Sequence, residues 1–310
     1  MSPEGTDVEV RGRRLRLTNL DKVLYPEAGF TKGQIIDYYA RIAPVLVPHL
    51  QGRALTRRRW PNGVDGPTFY EKNCPTSRPD WVATATIRTR AKGRSRTESV
   101  DYCVVDAAEG QATLVWLANL AAIELHPSLS LASDQPCPTV LAFDLDPGPP
   151  AAITECAWLA LAIRDLFATW NLEALAKTSG SKGLQVYVPL NAPATYEQTS
   201  GFALSVARLL ETRHPDRVVS NMTKAKRTGR VLVDWSQNSA AKTTVSVYSL
   251  RARPRPTVST PVRWSEVEAA AAGEALSFEA EQVIERVERH GDLFAPVLNL
   301  QQTLPETPEP

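Results

Sequence analysis

Hydrophobic and polar residues alternate along some segments of the chain and recur at helical spacing along others. Residues 11–17 alternate basic and apolar side chains, which predicts a half-exposed strand. Beyond Thr31, a residue that can cap a helix, apolar side chains recur three and four positions apart. This spacing predicts a helix that ends at Pro48. Residues 81–89 and 99–106 alternate again and are predicted strands.

From residue 110 onward, helical and strand patterns follow one another. Predicted helices are 110–125, 153–170, 196–212 and 264–290; predicted strands are 139–146, 230–235 and 243–250, with a hairpin over 175–190. Such a series is typical of a mixed sheet covered by helices, so we predict an α/β (mixed α+β) fold.

A length of 310 residues, 43% of them hydrophobic, suits two domains with substantial cores. The composition predicts a disordered tail over 1–10 and a basic N-terminal α/β module over 11–135. A second α/β module is expected over 136–296, and a second disordered tail over 297–310.

The net charge is only +1, but its distribution is uneven. Residues 1–100 carry 18 basic and 10 acidic side chains, residues 101–200 carry 3 and 11, and residues 201–263 carry 12 and 3. Such a layout is expected where a carboxylate centre is surrounded by surfaces that attract phosphates. Solvated surface charge, or pairing of the blocks with each other, remains an alternative.

The four cysteines, at 74, 103, 137 and 156, lack CxxC spacing. They predict neither a disulfide scaffold nor a cysteine-rich zinc site, and therefore a reducing, cytoplasmic location. No stretch approaches the roughly 18 apolar residues of a membrane span, so no membrane partner is expected.

The sharpest chemical feature is Asp144-Leu145-Asp146, directly after an apolar strand. Alternation along a strand puts Asp144 and Asp146 on one face, where a divalent cation can hold two carboxylates together. Asp234 ends a second apolar strand and supplies a third acid. The alternatives are a turn with solvated acids at Asp144 and Asp146, and a helix cap at Asp234.

Two further segments could bind phosphate or bases. Thr178–Leu184 is a hairpin turn with Ser179, Lys182 and two glycines, whose small residues let donors approach a phosphate, although an ordinary Gly-rich hairpin is also possible. Phe69-Tyr70 lies beside basic residues, where exposed rings can stack on unpaired bases, unless both rings belong to the core.

In order, these segments resemble the motifs of the polymerase domain of the bacterial non-homologous end-joining ligase D, a branch of the archaeo-eukaryotic primase superfamily. The resemblance spans roughly residues 15–295. The matching motifs are Asn19–Pro26, Arg59–Val64, Phe143–Gly148, Thr178–Leu184, Val233–Asn238 and Tyr248–Arg251.

The resemblance implies an RRM-like catalytic module behind an N-terminal α/β module. It implies a template-directed DNA/RNA primase-polymerase that fills short gaps or extends broken ends, with preference for ribonucleotides. Asp144, Asp146 and Asp234 would be catalytic and hold two divalent ions, Mn²⁺ or Mg²⁺, with NTP or dNTP as substrate.

The resemblance also implies roles for binding residues. Nucleotide-binding positions are Arg58, His126, Ser179, Lys182, Gln237 and Arg251. DNA-binding positions are Lys22 and Lys32 at the 5′-phosphate beyond a gap, Phe69, Tyr70 and Lys72 near the template, and Arg227 near the primer end.

Two departures accompany the resemblance. Members of the family usually carry histidine where this chain has Gln185, and the chain contains no KxDG adenylation motif. The chain is therefore expected to be a stand-alone polymerase in the nucleoid, with gapped DNA or 5′-phosphorylated ends, Ku and a separate DNA ligase as partners. A non-catalytic module that bridges DNA ends, or a DxD phosphatase, is the alternative.

Overall fold

The structure is a computed structural model that describes residues 5–90 and 97–305. Its strands are β1 Gly5–Val10, β2 Arg13–Thr18, β3 Val23–Tyr25, β4 Phe30–Thr31, β5 Leu55–Arg59, β6 Phe69–Glu71, β7 Thr84–Arg90, β8 Thr97–Cys103, β9 Ala122–Pro127, β10 Val140–Pro147, β11 Leu175–Thr178, β12 Leu184–Pro189, β13 Val218–Val219, β14 Val231–Asp234 and β15 Pro261–Val262. Its α-helices are α1 Lys32–Leu50, α2 Gly110–Asn119, α3 Ile153–Ala168, α4 Tyr196–Arg213, α5 Trp264–Ala271, α6 Ala280–His290 and α7 Pro296–Asn299. This mixture of helices and sheets confirms the predicted fold class.

The chain forms two compact units. The first contains Met1–Ser128, Val245–Val258 and Glu279–Gly291, and the second contains Leu129–Thr244, Ser259–Phe278 and Asp292–Pro310. Along the chain, the first passage from one unit to the other comes after Ser128, near the predicted boundary at residue 135. A single cut along the sequence is nevertheless insufficient, because two later segments return to the first unit.

The sheet of the first unit has the strand order β6-β5-β8-β7, and β9 also pairs with β5. Helix α1 begins at the predicted cap, where Thr31 accepts a hydrogen bond from the Gln34 backbone in a capping box. The helix continues past its predicted end at Pro48 to Leu50, and it also contains Pro44, so neither proline ends it.

Several other sequence predictions need correction. Residues 5–10, predicted to be part of a tail, form β1 and pair with β2 along its whole length. The predicted helix 110–125 stops at Asn119 and gives way to β9. The predicted strand 243–250 has only an isolated bridge at Leu250, and residues 264–290 form two helices that belong to different units.

The second unit is built on a six-stranded sheet in the order β13-β14-β10-β12-β11-β15. Alternation along β10 sends Phe143 and Leu145 into a core that includes Val186 of β12 and residues of helices α3 and α4. The opposite face of the same strands is therefore left for polar side chains. That face carries the chemistry described below.

The C-terminal segment is more ordered than the predicted tail over 297–310. Residues up to Asn299 form α7, and the Gln302 side chain donates to the carbonyls of Glu173 and Pro189. Residues 1–4 and 306–310, also assigned to tails, lie outside the described residues.

Cys74 and Cys103 form a disulfide, contrary to the expectation of four reduced cysteines. The bridge links the segment after β6 to the end of β8, where Cys74 also donates its backbone N–H to Asp101. The two cysteines are 29 residues apart and belong to no recognisable motif, so the sequence alone could not predict this pairing. Within the described part of the chain, no helix has the length and apolar character of a membrane span.

Candidate active site

The three acidic residues predicted from the sequence lie on one face of the six-stranded sheet. Asp144 and Asp146 alternate along β10, and Asp144 is paired directly with Asp234 of the neighbouring antiparallel strand β14. Directly opposed residues of such a pair share a face, so tertiary structure brings the third acid beside the first. The structure thus brings together all three predicted acids.

Each of these carboxylates has a protein partner. Asp144 accepts a hydrogen bond at 3.0 Å from Gln185, and Asp146 forms a 2.9 Å ion pair with Arg227. Asp234 accepts from the Ser236 backbone at 3.0 Å and from the Gln237 amide at 2.8 Å. The helix-cap interpretation of Asp234 is therefore partly correct, since its carboxylate caps the 3₁₀ turn that follows β14.

Burial, together with the neighbouring negative charge, changes the acidity of the site. Burial raises the pKa of Asp144 to about 6; the Gln185 hydrogen bond opposes this rise and the neighbouring Asp234 carboxylate adds to it. A carboxylate that is costly to ionise beside other carboxylates is stabilised by a nearby cation.

The donor set fits a hard divalent cation, because Mg²⁺ and Mn²⁺ prefer carboxylate oxygens. In residues 5–90 and 97–305, however, no three His, Cys, Asp or Glu side chains form a ready-made metal site. Arg227 is paired with Asp146, so cation binding at Asp146 would require Arg227 to share or release that carboxylate.

The turn after β11 is held in shape by the side chain of one of its own residues, Ser179. Ser179 accepts hydrogen bonds from the backbone N–H groups of Ser181 and Gly183, and Lys182 at the tip is exposed. A Cβ atom at Gly183 would lie 2.0 Å from the Leu145 carbonyl oxygen, so only glycine permits this approach to the acid-bearing strand. The turn therefore presents Lys182 close to β10.

A second cluster of predicted residues lies in the first unit, around Glu124. This glutamate is buried, and its carboxylate contacts Arg58 at 3.0 Å, His126 at 2.8 Å and Arg251 at 3.1 Å. Arg58 faces Glu124 directly across β5 and β9, and its guanidinium stacks 4.8 Å from the Trp60 ring centroid. One carboxylate thus orients two arginines, which keeps the cluster positive and suited to an anion.

Electrostatics fix the protonation of this cluster. Burial raises the pKa of Glu124, but the His126 hydrogen bond and the charges of Arg251 and Arg58 outweigh it, so the net pKa lies well below its usual value. Burial lowers the pKa of His126. A neutral His126 donates its Nε2–H to Glu124, which leaves Nδ1 as an acceptor.

The basic run Arg57–Arg59 is used mostly inside the protein. Arg57 is buried and donates to the Asn73 carbonyl, and Arg59 is bound to Glu71 at 2.7 Å. Alternation along β5 sends neighbouring members of the run in different directions, so the three arginines do not form one cluster.

The aromatic pair is presented outward. Phe69 and Tyr70 are 52% and 54% exposed on the short strand β6, which rejects the core alternative. Lys72, just after the strand, is half-buried. Exposed adjacent rings beside a lysine can stack on unpaired bases.

The lysines assigned to a 5′-phosphate lie near each other at the start of α1. Lys22 is exposed and donates to Asn62, whereas Lys32 is 5% exposed and donates to the Thr18 carbonyl at 2.6 Å. Burial, with the charges of Lys22 and Arg59, lowers the pKa of Lys32 to about 8. An open pocket of about 870 Å³ beside Lys22 is also lined by Arg16 and Asn19.

Sequence reasoning gave no structural role to three residues that contact the predicted ones or one another, and it named Gln185 only as a departure from the family pattern. Glu124 fell in a segment predicted as helix, so its position opposite Arg58 on a strand was not foreseen. Lys177 and Gln185 lie in the predicted hairpin, where a single polar or charged residue among apolar strand residues was an available signal.

Comparison with known proteins places the chain in a family. Residues 31–294 match the family model of LigD, primase-polymerase domain. The chain is 44% identical over 290 residues to the multifunctional non-homologous end joining DNA repair protein LigD of Mycobacterium tuberculosis, covering 91% of this chain and 37% of that protein. It is 30% identical over 283 residues to the bifunctional non-homologous end joining protein LigD of Bacillus subtilis, covering 91% and 44%.

A solved structure shows the same architecture. The polymerase domain from Mycobacterium tuberculosis ligase D in complex with DNA matches with a TM-score of 0.84 and 41% sequence identity, over 93% of this chain and 99% of that one. The chain spans less than half the length of the curated relatives named here. On these matches, the chain belongs to the LigD primase-polymerase domain family and is a polymerase of the nucleotidyltransferase class.

Proposed function

We propose that this chain is a metal-dependent, template-directed primase-polymerase that fills short gaps in DNA or extends broken ends during non-homologous end joining. The observation that carries the proposal is the placement of Asp144, Asp146 and Asp234 on one face of adjacent strands. Three carboxylates in that arrangement suit nucleotidyl transfer, which needs cations at the attacking and leaving oxygens.

Asp144, Asp146 and Asp234 would hold two Mn²⁺ or Mg²⁺ ions. Bound ions would lower the pKa of the primer 3′-hydroxyl and neutralise the triphosphate. The primer 3′-hydroxyl gives up its proton to solvent and its oxygen forms a bond to the α-phosphorus of an NTP or dNTP. The bond from that phosphorus to the bridging oxygen of the β-phosphate breaks, which releases pyrophosphate. Arg227, now paired with Asp146, would release that carboxylate when the cation binds.

We propose one set of nucleotide-contacting residues in each unit. In the second unit, Lys182 is exposed at the tip of its turn, and Ser179 and Gln237 support the adjoining loops. In the first unit, the positive cluster of Arg58 and Arg251 suits a phosphate group. The acceptor Nδ1 of His126 suits a sugar hydroxyl, which supports a preference for ribonucleotides.

Extension across a short gap tests the function directly. The chain should extend a primer on gapped DNA with Mn²⁺, more readily with ribo- than with deoxynucleotides, and more readily when the downstream strand carries a 5′-phosphate. Equal use of ribo- and deoxynucleotides would contradict only the proposed ribonucleotide preference. No extension despite tight DNA binding would contradict the polymerase proposal.

The 5′-phosphate preference is expected to depend on pH through Lys32. Its pKa of about 8 means that its charge is present below that pH and is lost as pH rises through it. A charge-assisted contact is worth about 1.5–3 kcal/mol, so the affinity advantage of 5′-phosphorylated over 5′-hydroxyl gapped DNA should fall about tenfold between about pH 7 and 9.5. Fluorescence anisotropy measures both affinities.

The Lys32→Arg variant is the control, because arginine stays charged over this range. Its advantage for 5′-phosphorylated DNA should not vary with pH. A wild-type advantage that is constant over the same range would contradict the role of Lys32.

Phe69 and Tyr70 are expected to contribute to template binding without contributing to folding. Replacing both with alanine should weaken binding of DNA with an unpaired template segment about tenfold or more, because stacking is worth about 1–3 kcal/mol per base. The melting temperature should not change, since both rings are exposed. Val23→Ala, at a site 44% exposed, is the matched control and should leave DNA affinity unchanged.

A further inference from the structure

A row of four polar side chains crosses the sheet of the second unit. Lys177 of β11 pairs with Gln185 of β12, Gln185 pairs with Asp144 of β10, and Asp144 pairs with Asp234 of β14. All three pairings are antiparallel and directly opposed, so the four side chains lie on one face. Lys177 and Gln185 therefore adjoin the acids, yet the chemistry proposed above gives them no task.

Gln185 connects the lysine to the acid. Its side-chain oxygen accepts a hydrogen bond from the Lys177 ammonium, and its nitrogen donates to Asp144 Oδ1 at 3.0 Å and to Thr244 Oγ1 at 3.3 Å. Gln185 is only 4% exposed, so it is poorly placed to meet a nucleotide from solvent.

Lys177 fixes the direction of this amide. It is 1% exposed, donates to Ser259 Oγ at 2.7 Å, and lies 5.3 Å from the centroid of the Tyr187 ring. An ammonium group can only donate, so the Gln185 oxygen must face it and the amide nitrogen must face Asp144. The buried charge thereby specifies a donor, rather than an acceptor, next to the carboxylate.

The fixed donor restrains the candidate metal ligand. It engages one lone pair of Asp144 Oδ1, holds the carboxylate plane, and leaves the other oxygen and the remaining lone pairs available to a cation. Partners that orient a ligand in this way commonly change metal affinity by about 10–100-fold when removed.

We propose that Gln185 and Lys177 are positioning residues, which hold Asp144 in the orientation that binds the divalent cation. The inference rests on the proposed function of the three acids and adds to it the residues that orient one of them.

The test measures Mn²⁺ binding to the free protein by electron paramagnetic resonance, in the absence of nucleotide and DNA. Gln185→Leu should weaken Mn²⁺ binding about 10–100-fold. At saturating Mn²⁺, the variant should recover extension with an unchanged KM for the nucleotide. Lys177→Met is the second variant and should weaken Mn²⁺ binding in the same way, because it removes the group that orients Gln185. If Lys177→Met does not fold, the result for Gln185→Leu decides the test.

Val186→Ala is the matched control, because Val186 is the next residue of β12 and faces the opposite, apolar core. It should lower the melting temperature and leave Mn²⁺ affinity unchanged. Mn²⁺ affinity of Gln185→Leu within twofold of wild type, or a raised nucleotide KM at saturating Mn²⁺, would overturn the positioning role. Failure of the wild-type chain to bind Mn²⁺ would instead overturn the proposed metal site, and this inference with it.

Discussion

Asp144→Asn should abolish templated extension while the protein stays folded and keeps its affinity for DNA. The substitution keeps the shape of the side chain but removes the charge that would hold a cation on β10. Loss of several kcal/mol of metal-assisted stabilisation corresponds to a rate reduction of about 10³-fold or more. Single-turnover primer extension at saturating Mn²⁺ measures the rate, and anisotropy measures DNA binding.

The same variant should be more stable than wild type without metal. Because the folded-state pKa of Asp144 is raised to about 6, the folded protein holds this proton more tightly than the unfolded chain does. Wild type therefore loses stability as pH rises from about 4 through 6, and the variant does not. At neutral pH the gain should be of order 1 kcal/mol, since the site is only partly buried.

Asp165→Asn is the matched control, because its side chain is 67% exposed and paired only at the surface with Arg164. It should change neither the extension rate nor the melting temperature appreciably. Normal extension by Asp144→Asn would contradict the assignment of this residue to the reaction.

Glu124→Gln should both destabilise the protein and weaken nucleotide binding. It leaves Arg58 and Arg251 packed together without their shared counter-charge, and breaking a buried ion pair in this way costs about 3–5 kcal/mol. Loss of their orientation should raise the nucleotide KM about tenfold, since one charge-assisted hydrogen bond is worth about 1.5–3 kcal/mol. Urea unfolding and steady-state kinetics measure the two effects.

The destabilisation should depend on pH in a defined direction. The pKa of Glu124 is lowered on folding, so its stabilising contribution is complete above the usual glutamate pKa of about 4.3 and is lost as pH falls below it. The difference between wild type and Glu124→Gln should therefore shrink in acid. Glu281→Gln, which breaks an exposed pair with Arg41, is the control and should cost less than about 1 kcal/mol. Equal effects of the two variants would contradict a special role for Glu124.

Local patterns predicted most individual elements, because alternation and helical spacing depend on neighbours in sequence. Strand β10, helices α3 and α4, and the hairpin of β11 and β12 occur close to their predicted positions. The errors fall where distant packing decides the outcome. Residues 122–127 became a strand because they pair with β5, and residues 5–10 became a strand because they pair with β2.

The sequence by itself determined the family and the mixed fold class and identified the three acids as candidates, because motifs and alternation depend on residues close together along the chain. Only the tertiary structure decided which residues stand opposite one another. Strand register placed Asp234 beside Asp144, put Gln185 and Lys177 next to them, and set Glu124 against Arg58. Register arises from pairing between segments far apart in sequence, so no local pattern specifies these neighbours.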